Sequence, residues 1–291
     1  MMEQEYARLL GVVNDALDGC FNQSCKQAEL LEAMRYSLLA GGKRIRPVLV
    51  LAFCNACGGR EEDALNAACG VEMLHTYSLI HDDLPCMDND DLRRGMPTCH
   101  KVYGETNAVL AGDALQAAAF YHVLSSPVSA EKTSAMAATL AEAAGERGMC
   151  GGQFLDTCKE NEEEIDENAL YLIHSLKTGA LLKAACVMGV QCAGGNAEQL
   201  RAAGEFAYHL GMAFQIRDDV LDVVSTVQEL GKDVGSDEQM GKTTFASLLG
   251  TEQCGRLVRE HTEKAKSALG DAFGDTSFLI WLAESLAERR K

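Results

Sequence analysis

Asp82, Asp83, Asp88, Asp90 and Asp91 put five carboxylates within ten positions, and Arg93 and Arg94 follow directly. Carboxylates that close repel one another unless water or shared cations separate them. An isolated acidic stretch is ordinarily a solvated loop. A second cluster far downstream, Asp218-Asp219 with Asp222, changes that reading. Carboxylate oxygens suit hard divalent cations such as magnesium, which keep company with phosphates. Two clusters facing each other would cage several such ions, and the natural guest is a diphosphate. A metal-clamped diphosphate is also a good leaving group. Asp82 and Asp88 stand six positions apart, and Pro85 between them should disturb a helix. Asp218 and Asp222 stand four apart, one turn along one helical face.

Cations fall where further anions could be held. Lys43, Arg44 and Arg46 follow Gly41-Gly42, Arg93 and Arg94 follow the first cluster, and Lys177-Thr178, Lys232 and Lys242 lie elsewhere. Each alone is an ordinary surface charge, and their weight comes from company with the acids. Rival motifs fail. Gly241-Lys242-Thr243 ends like a P-loop, but Ser236 stands where the first glycine belongs. Asp88-Asn89-Asp90-Asp91-Leu92 starts like a calcium loop, but Leu92 replaces an oxygen ligand and Arg93 the glycine. Neither a Gly-x-Ser-x-Gly elbow nor a His-Glu-x-x-His pair occurs.

The elements that must position these groups read as helices. The 291 residues are 47% apolar, and Pro47, Pro85, Pro97 and Pro127 are the only prolines. Tyr6, Leu9, Leu10, Val13 and Leu17 recur at helical spacing, as do Leu31, Met34 and Leu38 before the Gly41-Gly42 stop. The second half of 61–83 is apolar almost all round, so that helix should be buried. Further helices are expected over 108–124, 134–144, 170–190, 197–224 and 254–269, and the acidic run from Glu160 to Glu167 reads as a solvated helix start. No alternation argues for a sheet, and no linker divides the chain. The expectation is an all-α fold, a single domain over 1–291 with ten or more helices. Each acidic cluster follows a long apolar helix, which would set both at the ends of neighbouring helices around one cavity.

Lys plus Arg number 26 and Asp plus Glu 43, a net charge of −17. Such a chain is a poor partner for nucleic acid or an anionic membrane. No uncharged apolar run reaches the roughly 18 residues of a bilayer span. The N-terminus has no secretory pattern, and the 12 scattered cysteines read as reduced packing residues, so the expected location is cytoplasmic. Cys54 and Cys57 have CxxC spacing without the second pair or strand–helix context that would give it a role.

Taken together, these residues resemble the trans-polyprenyl diphosphate synthases. Asp82-Asp83-x4-Asp88-x4-Arg93-Arg94-Gly95 is similar to the family's first aspartate-rich motif, and the stretch from Gly211 to Asp222 to its second. The blocks from Gly42 to Pro47, Gly151-Gly152-Gln153, Lys177-Thr178-Gly179 and Gly231-Lys232-Asp233 with Gly241-Lys242-Thr243-Thr244 follow the family order. The four-residue gap holding Pro85 resembles the bacterial farnesyl diphosphate synthase subgroup. The resemblance implies an isoprenoid-synthase-type helical bundle around a central cavity, a homodimer and three magnesium ions. It implies that Asp82 and Asp88 bind two of the ions and Asp218 the third. Lys43, Arg46, His75 and Arg94 would hold isopentenyl diphosphate, and Arg93, Lys177, Lys232 and Lys242 the allylic diphosphate, dimethylallyl or geranyl. Thr178 and Gln215 would lie beside the allylic cation, which a hydroxyl and an amide oxygen stabilise without being readily alkylated. The implied reaction is ionisation, condensation and proton loss, with Lys177, Thr178, Gln215 and Lys232 as its catalytic side chains and the departed diphosphate as base.

Chain length would be set by a floor. Residues four and five before Asp82 lie about 6–7.5 Å back along a helix. They are Ser78, one turn behind on the same face, and Tyr77, bulky enough to close a tail pocket. That pattern favours a farnesyl product, with geranylgeranyl or geranyl diphosphate as the alternative. A class I terpene cyclase would need Ser or Thr and then Glu where Asp222 and Thr226 stand. A non-catalytic partner subunit should have lost one cluster, and this chain keeps both.

Overall fold

A computed structural model describes residues 1–158, 166–224 and 243–289. Helices account for nearly all of the described structure. α1 (Met2–Asp18) buries Leu9, Val13 and Leu17, the apolar stripe legible in its sequence. α2 (Ala28–Leu38) ends before Gly41 and Gly42, whose φ values of 84° and 112° suit glycine and turn the chain towards α3 (Ile45–Ala56). α4 (Glu61–Asp82) is buried along most of its length, as expected of a helix apolar nearly all round.

The chain then makes a small hairpin, β1 (Leu92–Arg93) against β2 (Met96–Pro97), pairing Leu92 with Pro97 and Arg93 with Met96. Two residues per strand are too few to show an alternating pattern, so the sequence carried no sign of it. There follow α5 (Cys99–Tyr103), α6 (Glu105–Leu124), α7 (Ala130–Ala144), α8 (Met149–Cys158) and α9 (Glu167–His174). Asp166 caps α9 by accepting from the Ala169 amide at 2.8 Å, and Glu160 to Ile165 lie outside the described residues. A π-helical segment, Ser175–Gly179, joins α9 to α10 (Ala180–Ala193). The helix expected over 170–190 is therefore interrupted at Lys177-Thr178, a widening that apolar periodicity does not register. α11 (Ala197–Val224) runs unbroken over the expected range. α12 (Phe245–Leu249), α13 (Thr251–Leu269) and α14 (Ser277–Glu288) complete the described chain.

Small residues let the central helices approach closely. A Cβ on Gly70 of α4 would stand 2.7 Å from the Ala119 carbonyl oxygen of α6, and one on Gly189 of α10 2.4 Å from that of Val50 in α3. The main core takes side chains from α1 through α14, from Leu9 to Leu286. A second cluster packs Leu170, Ala213, Ile216, Val220, Phe245, Cys254 and Val258 under the C-terminal half of α11. Among the described residues no helix is long and apolar enough to cross a membrane.

Candidate active site

The first acidic cluster begins where α4 stops. Pro85 cannot continue the helix. The backbone folds back so that the Asp88 amide donates to the Asp82 carbonyl at 2.9 Å. That single bond brings two carboxylates six positions apart to one place. Burial pushes the Asp82 carboxyl up to about 6; Lys177 works against this and the nearby Asp88 charge adds to it. Asp83 serves differently. It is buried, and Arg93 donates to it through Nε at 2.9 Å and through Nη2. Arg93 also donates to Asp90 at 3.2 Å.

The cations gather on the other side of α4. Arg44 adopts a left-handed φ of 49° immediately before α3. Its buried guanidinium donates to Glu72 at 2.6 Å and to the Leu38 carbonyl at 2.6 Å. This pair was not anticipated, because nothing in sequence spacing joins positions 28 apart. Glu72 is a carboxylate set among Arg44, Arg46 and Arg94. Burial depresses Arg46 to about 10, and its buried Nε has no hydrogen-bond partner. Burial and then Arg46 and Arg94 hold His75 well below its ordinary range, so it is neutral. Arg94 donates to the Gly41 carbonyl, and a Cβ on Gly42 would sit 2.6 Å from its Cζ. Glycine at 42 is therefore what admits Arg94 to this group. A half-neutralised cluster of guanidinium groups with an orphaned Nε suits an oxyanion.

The π-helical segment carries Lys177 and Thr178. π-bulges inside helices frequently mark functional sites because they re-aim side chains. Lys177 donates to Asp156 of α8 at 2.5 Å. Its charge also reaches Asp82. Thr178 donates to the Gln215 Oε1 at 3.2 Å, and Gln215 donates to Asp219 at 3.1 Å. One widened turn thus bridges the two clusters. Asp156 was not predicted, although it lies three residues beyond the Gly151-Gly152-Gln153 block. Gly152 is needed there, since a Cβ would stand 2.2 Å from the Lys177 amide nitrogen.

The second cluster lies on α11. Asp218 accepts from Arg289 at 2.5 Å, an arginine just beyond α14 that sequence position gave no reason to expect. The Arg289 guanidinium stacks 3.9 Å from the centroid of Phe214. Burial and then the Arg289 charge lower the Lys43 ammonium, while Asp218 opposes them. Asp219 is buried and also accepts from the Phe245 amide at 2.9 Å. Asp222 is buried as well.

Among the described residues, no three His, Cys, Asp or Glu side chains form a ready metal-binding group. Magnesium, though, is usually held by one or two carboxylates together with substrate phosphates. The Asp82 and Asp88 donors fit that chemistry. Lys232 and Lys242 lie outside the described residues. Ser78 donates to the His75 carbonyl at 2.8 Å, and Tyr77 is buried with its ring edge-on to His81 at 5.3 Å. The Cys54 and Cys57 thiols are both raised, Cys54 by a bond to Cys192 and by burial, Cys57 by burial to about 11, which fits inert packing.

Residues 27–275 match the polyprenyl synthetase family. A chloroplastic geranylgeranyl pyrophosphate synthase of Capsicum annuum is 46% identical over 281 residues, 95% of this chain and 76% of that protein. The fold superimposes on an FPP/GFPP synthase from Zymomonas mobilis with a TM-score of 0.86 at 34% identity, over 99% of this chain and 100% of that one. It superimposes on a geranylgeranyl pyrophosphate synthetase from Pyrococcus horikoshii with a TM-score of 0.89 at 30% identity, over 99% of each chain.

Proposed function

We infer the reaction from the premise that the chain belongs to the polyprenyl synthetase family. It is a prenyltransferase that elongates an allylic diphosphate with isopentenyl diphosphate. The observation that carries this reading is the bridge between the clusters: Lys177 beside Asp82, and Thr178 bonded to Gln215 and so to Asp219.

Asp82, Asp88 and Asp218 would hold magnesium, three ions in all, which when bound neutralises a diphosphate and eases its departure. Lys177, Arg93 and, from outside the described residues, Lys232 and Lys242 would take the allylic diphosphate as charge accumulates on it. Thr178 Oγ1 and Gln215 Oε1 would face the allylic carbon with partial negative charge, which stabilises a cation without trapping it. Lys43, Arg46, Arg94 and neutral His75 would orient isopentenyl diphosphate so that its double bond approaches that carbon. No side chain is assigned as base; the departed diphosphate would take the proton.

The product that the relatives support best is geranylgeranyl diphosphate, which makes farnesyl diphosphate a substrate as well. The farnesyl product expected from the sequence has one observation in its favour: the buried Tyr77, which leaves little room for a longer tail. Incubating the purified chain with magnesium, labelled isopentenyl diphosphate and, separately, dimethylallyl, geranyl and farnesyl diphosphates decides the matter. C20 product from all three starters supports the first reading, C15 product that stops there supports the second, and no elongation overturns both. A homodimer belongs to the same proposal, supported by Val109, Leu110, Tyr121 and Leu124 exposed along α6. Light scattering on the purified chain tests it, and a mass near 31.3 kDa would refute it.

A further inference from the structure

The ring of Tyr77 does not stand alone. Its hydroxyl lies 3.3 Å from Cys150 Sγ, contributed by α8. The ring packs on His81, whose Nε2 lies 3.1 Å from the Val109 carbonyl oxygen. His81 in turn is held by the absence of a side chain at Gly112, where a Cβ would stand 2.2 Å from that Nε2. α8 is equally fixed. A Cβ on Gly148 would stand 2.1 Å from the Ala143 carbonyl oxygen, and one on Gly152 would strike Lys177. Helix α8 presents both Cys150 to the phenol and Asp156 to Lys177.

A phenol tethered at its hydroxyl by a neighbouring helix is less free to swing out of the way of a growing chain than an untethered ring. We propose that Cys150 is a specificity-determining residue that sets product length by holding Tyr77 in place. This rests on the prenyl-elongation reading above and goes beyond it: the length limit is a property of a contact between α4 and α8, with Tyr77 supplying the bulk and Cys150 its position. Cys150 acts through Tyr77, so it is a positioning residue.

The test is product distribution with labelled isopentenyl diphosphate. The ratio of the next-longer product to the main wild-type product is independent of how much enzyme is active. Tyr77→Phe keeps the ring and removes the tether; Cys150→Ala removes it from the other side; Cys150→Ser, close to alanine in volume, supplies a hydroxyl donor and acceptor. Tyr77→Phe and Cys150→Ala are each expected to raise the ratio roughly fivefold, the weight of one net hydrogen bond. Cys150→Ser is expected to keep the wild-type ratio. Unchanged ratios in Tyr77→Phe and Cys150→Ala sink the inference, as does an equal shift in Cys150→Ala and Cys150→Ser, which would point to space rather than tethering. Wild-type turnover in the same assay is read separately. Its absence would sink the proposed function and this inference with it, whereas turnover with unchanged ratios sinks the inference alone.

Discussion

The first acidic cluster hangs off the end of a helix, and the second is built into one, along the last two described turns of α11. After α4 the backbone turns at Pro85 so that Asp82 and Asp88 meet, and their mutual charge raises rather than relieves the cost of burial. On α11 the aspartates are already spoken for. Asp218 meets Arg289, and Asp219 ties both Gln215 and the start of α12. Similar composition thus carries different work: the first cluster gathers charge at a helix end, while the second also holds the fold together. Asp83 shows the same division inside the first cluster, since it spends itself on Arg93.

The largest effect should come from Asp82→Asn. Removing one electrostatic partner of a reacting group costs about 10²–10³ in turnover. Steady-state kinetics should show that loss while circular dichroism stays near wild type and the thermal midpoint at neutral pH does not fall. Asp219→Ala should do the reverse in kind. It leaves the buried Phe245 amide and the Gln215 amide without their acceptor, at about 2–3 kcal/mol, measurable by urea unfolding. If Asp219→Ala proves as stable as the wild type while Asp82→Asn unfolds, the contrast between the clusters is inverted. Arg289→Gln comes next. It removes the cation paired with Asp218 and the stacking on Phe214, and should loosen α14 by about 1.5 kcal/mol, seen as faster amide exchange in Ser277–Glu288 than in the wild type.

The pH dependence sharpens the comparison further because the two regions have opposite signs. Asp82 is raised from 3.8 to about 6 by burial, so its contribution favours the native state fully below about 3.8 and is lost as pH rises through about 6. His261, packed on His209 beside α11, is depressed from 6.5 to about 4 by burial and then by His209. The unfolded chain takes that proton first, so stability is present above 6.5 and is lost as pH falls towards 4. Thermal melts without magnesium should therefore show a fall between pH 6.5 and 4 that His261→Gln flattens and Asp82→Asn steepens. Identical slopes in wild type and His261→Gln would remove the histidine from the account.

Much of this was legible in advance. The helices over 197–224 and 61–82 were readable because long apolar patterns survive any tertiary context. The break at Pro85 was readable because proline lacks a donor and clashes with the preceding turn. The π-helical turn at Lys177-Thr178 was not, since inserting one residue into a helix leaves composition unchanged. Arg289 was not either: nothing in the run Arg289-Arg290-Lys291 separates one basic residue from the next.

By itself, then, the sequence determined an all-helical chain, two sets of carboxylates and a matching supply of cations, because residue type and spacing fix local chemistry. Only the tertiary structure decided which carboxylates are spent. Whether Asp83 serves Arg93, Asp156 serves Lys177 or Asp219 serves Phe245 depends on side chains brought within hydrogen-bond reach from positions 10, 21 and 26 residues apart. The same holds for Tyr77: its bulk is a property of the residue, while the hold on its hydroxyl exists only once α4 and α8 have packed.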